Sequence, residues 1–97
     1  MARVVYAARA LDQLGRTVAL RRRDDPAGAP PAVAAIQSAI ASLAAHPLLG
    51  RRLERELREL VISVGKTGYV ALYRFAMLRD EVHVLAIRQQ RELGFMP

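Results

Sequence analysis

The sequence predicts an α+β domain of order β-α-α-β-β-β, in which a helical hairpin packs on one face of a small antiparallel sheet. Three observations predict it. Apolar residues recur at helical spacing in the first half, β-branched and alternating runs fill the second, and clusters of proline and glycine separate them. A chain of 97 residues has room for one core, so residues 1–97 read as a single domain.

Residues 3 to 6, "RVVY", are β-branched and predict a first strand. In "AARALDQLGRTVALRRR", Leu11, Leu14 and Val18 recur at helical spacing, so a helix is expected to run to about Arg22. Gly15 costs that helix about 1 kcal/mol relative to alanine. "DDPAGAPP" has the composition of a loop. Pro31 suits a first helical turn, and Val33, Ile36, Ile40 and Leu43 follow on one face of a second helix. "HPLLGRR" ends it, because Pro47 disfavours helical geometry at His46 and Gly50 permits a turn.

In "LERELREL", Leu53, Leu57 and Leu60 keep helical spacing, whereas "LVISV" is a strand; we place that strand from about Leu57 to Val64. "GKTG" predicts a hairpin turn. In "YVALYRF", Tyr69, Ala71, Tyr73 and Phe75 would line one face, with Val70, Leu72 and Arg74 on the other. "LRDE" turns the chain again. "VHVLAIR", apolar but for His83, reads as a last strand lying centrally in the sheet.

Composition narrows function. With 53% hydrophobic and 25% charged residues the chain is globular, and with five aromatic residues its core must be mainly aliphatic. Fifteen basic against nine acidic residues leave a net charge of +6, and Lys66 is the sole lysine. Acidic partners are expected. The arginine bias reads either as recognition of phosphate and carboxylate by planar forks or as genomic base composition. The absence of cysteine excludes disulfides and thiolate metal sites. With no secretory signal pattern and no run approaching the roughly 18 apolar residues of a membrane span, a soluble, cytoplasmic protein without membrane association is expected.

Proton-transfer chemistry has few carriers. His46 precedes a proline at a helix end, where capping accounts for it, and His83 alternates within a strand as a structural histidine does. Glu54, Glu56 and Glu59 are interleaved with Arg51, Arg52, Arg55 and Arg58 and are expected to pair with them locally. No metal spacing, nucleophile elbow or phosphate-binding glycine loop is present, so neither metal nor cofactor is expected. What remains is basic. Arg58, Arg74, Arg88 and Arg91 read either as scattered solvated ends or as a polar patch converging on one anion. Phe95 and Met96, after Gly94, read as docking on the domain or meeting a partner.

The phrases "HPLLGRR", "ELREL", "GYVALYRF" and "VLAIRQQREL", in this order over nearly the whole chain, resemble the RelE/ParE toxins of bacterial type II toxin-antitoxin systems. The resemblance implies a compact β-α-α-β-β-β fold with a twisted sheet, and neutralisation by a cognate antitoxin in a toxin-antitoxin hetero-oligomer. RelE-like members of this family cut messenger RNA in the ribosome, whereas ParE-like members poison DNA gyrase. Val70 stands about where RelE-like enzymes often carry a strand arginine, and no tyrosine follows Arg91. Gln89 and Gln90 stand near a position where ParE-like endings often carry a histidine.

The resemblance therefore implies a ParE-like gyrase inhibitor with no catalytic centre of its own. Its target contacts would come from Arg58, Arg74, Arg88, Gln89, Gln90 and Arg91. A RelE-like ribosome-dependent ribonuclease, or a non-toxic binding module on the same fold, is the alternative. Antitoxins of this kind (ParD-like) wrap an acidic, amphipathic segment around the toxin, which implies an apolar groove with a basic rim. Leu11, Leu14 and Val18 face either the sheet or that groove, and with Phe95 and Met96 they are its candidate lining.

Overall fold

The structure, a computed structural model, describes residues 1–65 and 67–90. Its elements are β1 (Arg3–Tyr6), α1 (Ala8–Asp24), α2 (Ala29–Ala41), β2 (Arg51–Glu54), β3 (Leu57–Val64), β4 (Thr67–Ala76) and β5 (Glu81–Gln89). The strands form one sheet in the order β1-β5-β4-β3-β2. β1 pairs with β5 in parallel, and the other neighbours are antiparallel. The chain can return from β1 to the β5 edge in parallel only because the whole hairpin lies between them in sequence.

The proline segment is more ordered than its composition suggests. α1 runs on to Asp24; Asp25 then accepts from the Gly28 amide at 3.2 Å and caps a single 3-10 turn, Pro26–Gly28. α2 starts directly at Ala29, so Pro30 and Pro31 fall in a first turn whose amides need no intrahelical partner. Ala32, Ile36 and Ile40 form its buried stripe, which Leu43 continues in the 3-10 turn Ser42–Ala44 that follows.

That stripe lies on Leu60, Ile62, Tyr69, Ala71, Tyr73, Val82, Val84 and Ile87, with Ala10 of α1 beside it. Tyr69, Ala71 and Tyr73 share the core face as expected, and Phe75 packs half-buried at its margin. A bulge between Leu72 and Tyr73 inserts Leu85 into β5 without a partner, so Val84 and Ile87 both reach the core.

By length and mean hydropathy (1.3), Pro26–Ala44 passes for a membrane span, which differs from the sequence expectation. Packing gives the run another reason for being apolar, since one face of it, with Ala32, Ile36, Ile40 and Leu43, is buried in the core.

A fifth strand, β2, stands where helical spacing was expected to continue. Arg51 and Arg52 pair with Glu59 and Arg58 of β3. The turn between the strands puts Arg55 at φ 52, a left-handed conformation that costs a residue with a Cβ about 1 kcal/mol or more. The Arg55 carbonyl accepts from Arg52 Nε at 2.8 Å, which braces that turn. At the next turn Val64 pairs with Thr67 and Gly65 takes φ +58, leaving Gly68 inside β4 rather than in the hairpin loop.

Candidate functional site

The candidate arginines do not converge. Arg58 and Arg74 sit at one end of the central strands and Arg88 at the other. His83, across from Arg74, is five residues from Arg88 along β5, about 16 Å at strand rise. Arg91 lies outside the described residues, as do Phe95 and Met96.

Arg58 faces Tyr73 across the β3–β4 ladder and shares its side of the sheet. Its guanidinium donates to the carbonyls of Gly50 at 2.9 Å and Leu48 at 3.2 Å. The Tyr73 hydroxyl accepts from the Gly50 amide at 2.7 Å. The two side chains thus fix the segment that carries the chain from α2 to β2. Burial pushes the Tyr73 phenol up, against the opposing Gly50 hydrogen bond and Arg58 charge, so it stays protonated at neutral pH. Gly50 is needed there, since a Cβ would stand 2.6 Å from the Tyr73 ring and 2.7 Å from the Glu59 carbonyl.

Arg74 belongs to a polar row on the opposite face. It stands 3.9 Å from Glu56 and 3.5 Å from His83 Nδ1; His83 Nε2 lies 2.9 Å from Glu81, which accepts from Arg3 at 2.8 Å. A carboxylate can only accept, so His83 donates through Nε2 and offers Nδ1 to Arg74. That hydrogen bond from His83, opposed by desolvation and helped by the charges of Arg3, His83 and Arg79, holds the Glu81 carboxyl below its usual range. Of the expected local pairs in the arginine-rich segment, Arg51 with Glu59 is made. Glu56 instead reaches Arg74, and Arg58 turns to backbone carbonyls.

A cleft of about 630 Å³ opens at this end, with Arg52, Arg55, Arg58, Arg74, Arg79 and His83 among its lining and Leu48, Met77 and Leu78 beside them. Sequence reading missed Arg52, Arg55 and Arg79 as members of one site. For Arg79 the signal was apolar residues in a turn, "AMLRD", where polar ones are usual.

At the other end, β1 stops pairing with β5 at Val84. α1 takes over the edge, and Gln13 Oε1 accepts from the Ile87 amide at 2.9 Å. This leaves a groove of about 390 Å³ lined by Gln13, Arg16, Thr17, Leu20, Ile87 and Arg88. Arg88 pairs across the ladder with Val70 and Gln89 with Tyr69, while the Gln90 side chain lies against Gly68. Arg21 of α1 crosses to β4, donating to Thr67 at 2.6 Å and to the Tyr69 hydroxyl at 3.2 Å.

The candidate partner-binding leucines divide as well. Leu14 packs against the core, Val18 is half-buried, and Leu11 is 54% exposed. Among the described residues no group of three or more histidine, aspartate or glutamate side chains is placed to hold a metal ion.

A two-helix hairpin on a five-stranded sheet, with arginine-lined hollows at both ends, defines a small basic α+β domain. Three comparisons say which. A solved structure titled "Chromosomal ParDE TA system from P. aeruginosa" superposes with a TM-score of 0.73 over 92% of this chain and 96% of that one, at 22% identity, which establishes the fold. "Toxin RelE3" of Caulobacter vibrioides is 40% identical over 67 residues, covering 69% of this chain and 71% of the relative. The family model described as the ParE toxin of type II toxin-antitoxin systems, parDE, matches residues 4–94. The chain belongs to this ParE/RelE family of type II toxins.

Proposed function

We propose that the protein is a cytoplasmic, ParE-type inhibitor of DNA gyrase, silenced in a hetero-oligomer by a cognate acidic ParD-like antitoxin, and that it acts by contact through the Arg88 end of the sheet. The family match over residues 4–94 carries this reading. The geometry supports contact over catalysis. Both ring nitrogens of His83 are engaged, one by Glu81 and one by Arg74, and the Tyr73 hydroxyl is buried against Gly50. Neither offers a free general base to a substrate in the cleft. Arg88, by contrast, lines an open groove together with Arg16.

One observation favours a second reading, cleavage of ribosome-bound messenger RNA: the 40% identity to a protein named Toxin RelE3. Supercoiling of relaxed plasmid by purified gyrase separates the two. Under the gyrase reading the folded protein suppresses supercoiling and traps linear DNA, and Arg88→Ala and Arg91→Ala weaken both effects. Gyrase indifferent to a molar excess of folded protein, together with cleavage of messenger RNA on programmed ribosomes, would move the assignment to the ribonuclease.

A further inference from the structure

The cleft at the Arg74 end gathers charge of one sign. Five guanidinium groups, those of Arg52, Arg55, Arg58, Arg74 and Arg79, share its lining with a single carboxylate, that of Glu56. Arg58 is spent on backbone carbonyls. Among the described residues, however, Arg52, Arg55 and Arg79 form no ion pair, and Arg74 meets Glu56 only at 3.9 Å. Like charges around one opening repel one another, and an anion seated among them removes that cost.

The same cleft also holds flat rings. Phe75 lines it, half-buried, and so does His83, whose two ring nitrogens are taken by Glu81 and Arg74. His83 therefore contributes a ring with no polar group to spare. Leu48, Met77 and Leu78 add an apolar margin.

The pairing of these features selects the ligand. A lone carboxylate or an inorganic phosphate would use the arginines and leave the rings idle. A nucleotide uses both, because its phosphate chain concentrates several negative charges that planar guanidinium forks bind bidentately, and its base has a π-face that stacks on rings. The volume, about 630 Å³, lies within the roughly 300–1,000 Å³ of small-molecule sites. We propose that this cleft binds a free nucleoside triphosphate, with Arg55, Arg74 and Arg79 on its phosphates and Phe75 and His83 beside its base. His83 is five residues, about 16 Å, from Arg88 along β5, so the site goes beyond the gyrase reading and does not rest on it.

The test is calorimetric titration of the full chain with ATP, inorganic tripolyphosphate and adenosine. It is run at physiological ionic strength without divalent cations, which would compete with the guanidinium groups for the phosphates. ATP is expected to bind one to one, tripolyphosphate about tenfold or more weaker, and adenosine weaker still. Arg55→Glu with Arg79→Glu should weaken ATP about tenfold or more, whereas Arg9→Glu with Arg23→Glu, an equal change of charge on α1, should alter it by less than about twofold. All four arginines are exposed, so thermal midpoints should match the wild type. Phe75→Leu should bring ATP and tripolyphosphate to within about threefold of each other. Because Phe75 packs against the core, its folded fraction is checked by urea titration, and the comparison of ligands on the wild type stands without it. No binding of ATP, tripolyphosphate binding as tightly as ATP, or equal losses in the two charge-reversed pairs would overturn the proposal. So would displacement of ATP by an unphosphorylated single-stranded oligonucleotide, or by a glutamate-rich peptide, at lower concentration than ATP itself requires.

Discussion

Gly50 and Gly68 stand at opposite ends of the central strands, and each is pressed by one side chain. At Gly50 a Cβ would collide with the Tyr73 ring and with the Glu59 backbone carbonyl, neither of which can swing away. At Gly68 the obstacle is the Gln90 side chain, whose amide end is free to rotate. The same contrast holds for the arginines. Arg58 is fixed on the backbone at one end of the sheet and maintains the fold, whereas Arg88 lines an open groove at the other.

Gly50→Ala tests that difference hardest. Overpacking against an immovable carbonyl is expected to destabilise by about 3 kcal/mol, which lowers the melting temperature of a domain this size by roughly 15 °C. Tyr73→Phe is gentler. It leaves the Gly50 amide without its partner in a buried place, at a cost of about 2 kcal/mol that denaturant titration would resolve. A melting temperature unchanged in both variants would mean that the α2–β2 connection is not braced as described.

The polar row at the braced end gives a pH-dependent effect. Because the Glu81 carboxyl is held below its ordinary value of 4.5, the folded protein binds that proton less readily than the unfolded chain. Glu81 therefore stabilises fully above this value and loses its contribution as pH falls through the folded-state value. Between about pH 6 and about pH 3, the urea midpoint of Glu81→Gln is expected to fall less than that of the wild type. Parallel curves would show that the row is solvated and inert. Smallest of all is Gly68→Ala, which lies in regular strand at negative φ. Gln90 can move aside, and the change in stability should stay within about 0.5 kcal/mol.

Much of the fold was legible in the residues because it is local. "LVISV" marked β3 to its final residue, the Val33–Leu43 stripe marked α2, and alternation in "YVALYRF" placed Tyr69, Ala71 and Tyr73 on the core face. β2 was not legible. Its leucines keep helical spacing, and it is a strand only because β3 lies beside it and Arg55 accepts a left-handed turn without being glycine. The cleft was illegible for a related reason. Arg52, Arg74 and Arg79 come from separate segments that meet only when β2, β4 and the β4–β5 turn end together. In sequence, Arg58 looked like Arg88; only the carbonyls of Leu48 and Gly50, brought in by α2, separate their roles.

The division of roles proposed above has Arg58 serving the fold and Arg88 contacting the target. It is tested most directly by measuring, in parallel, the unfolding midpoint and the gyrase-inhibiting potency per folded molecule of Arg58→Ala and Arg88→Ala. The account predicts that Arg58→Ala lowers the midpoint, by about 1 kcal/mol, and inhibits normally once corrected for folded fraction. Arg88→Ala should unfold like the wild type and lose about tenfold or more in potency, a loss of 1.4 kcal/mol or more. The reverse pattern, with Arg88→Ala unstable but potent and Arg58→Ala stable but inactive, would contradict it.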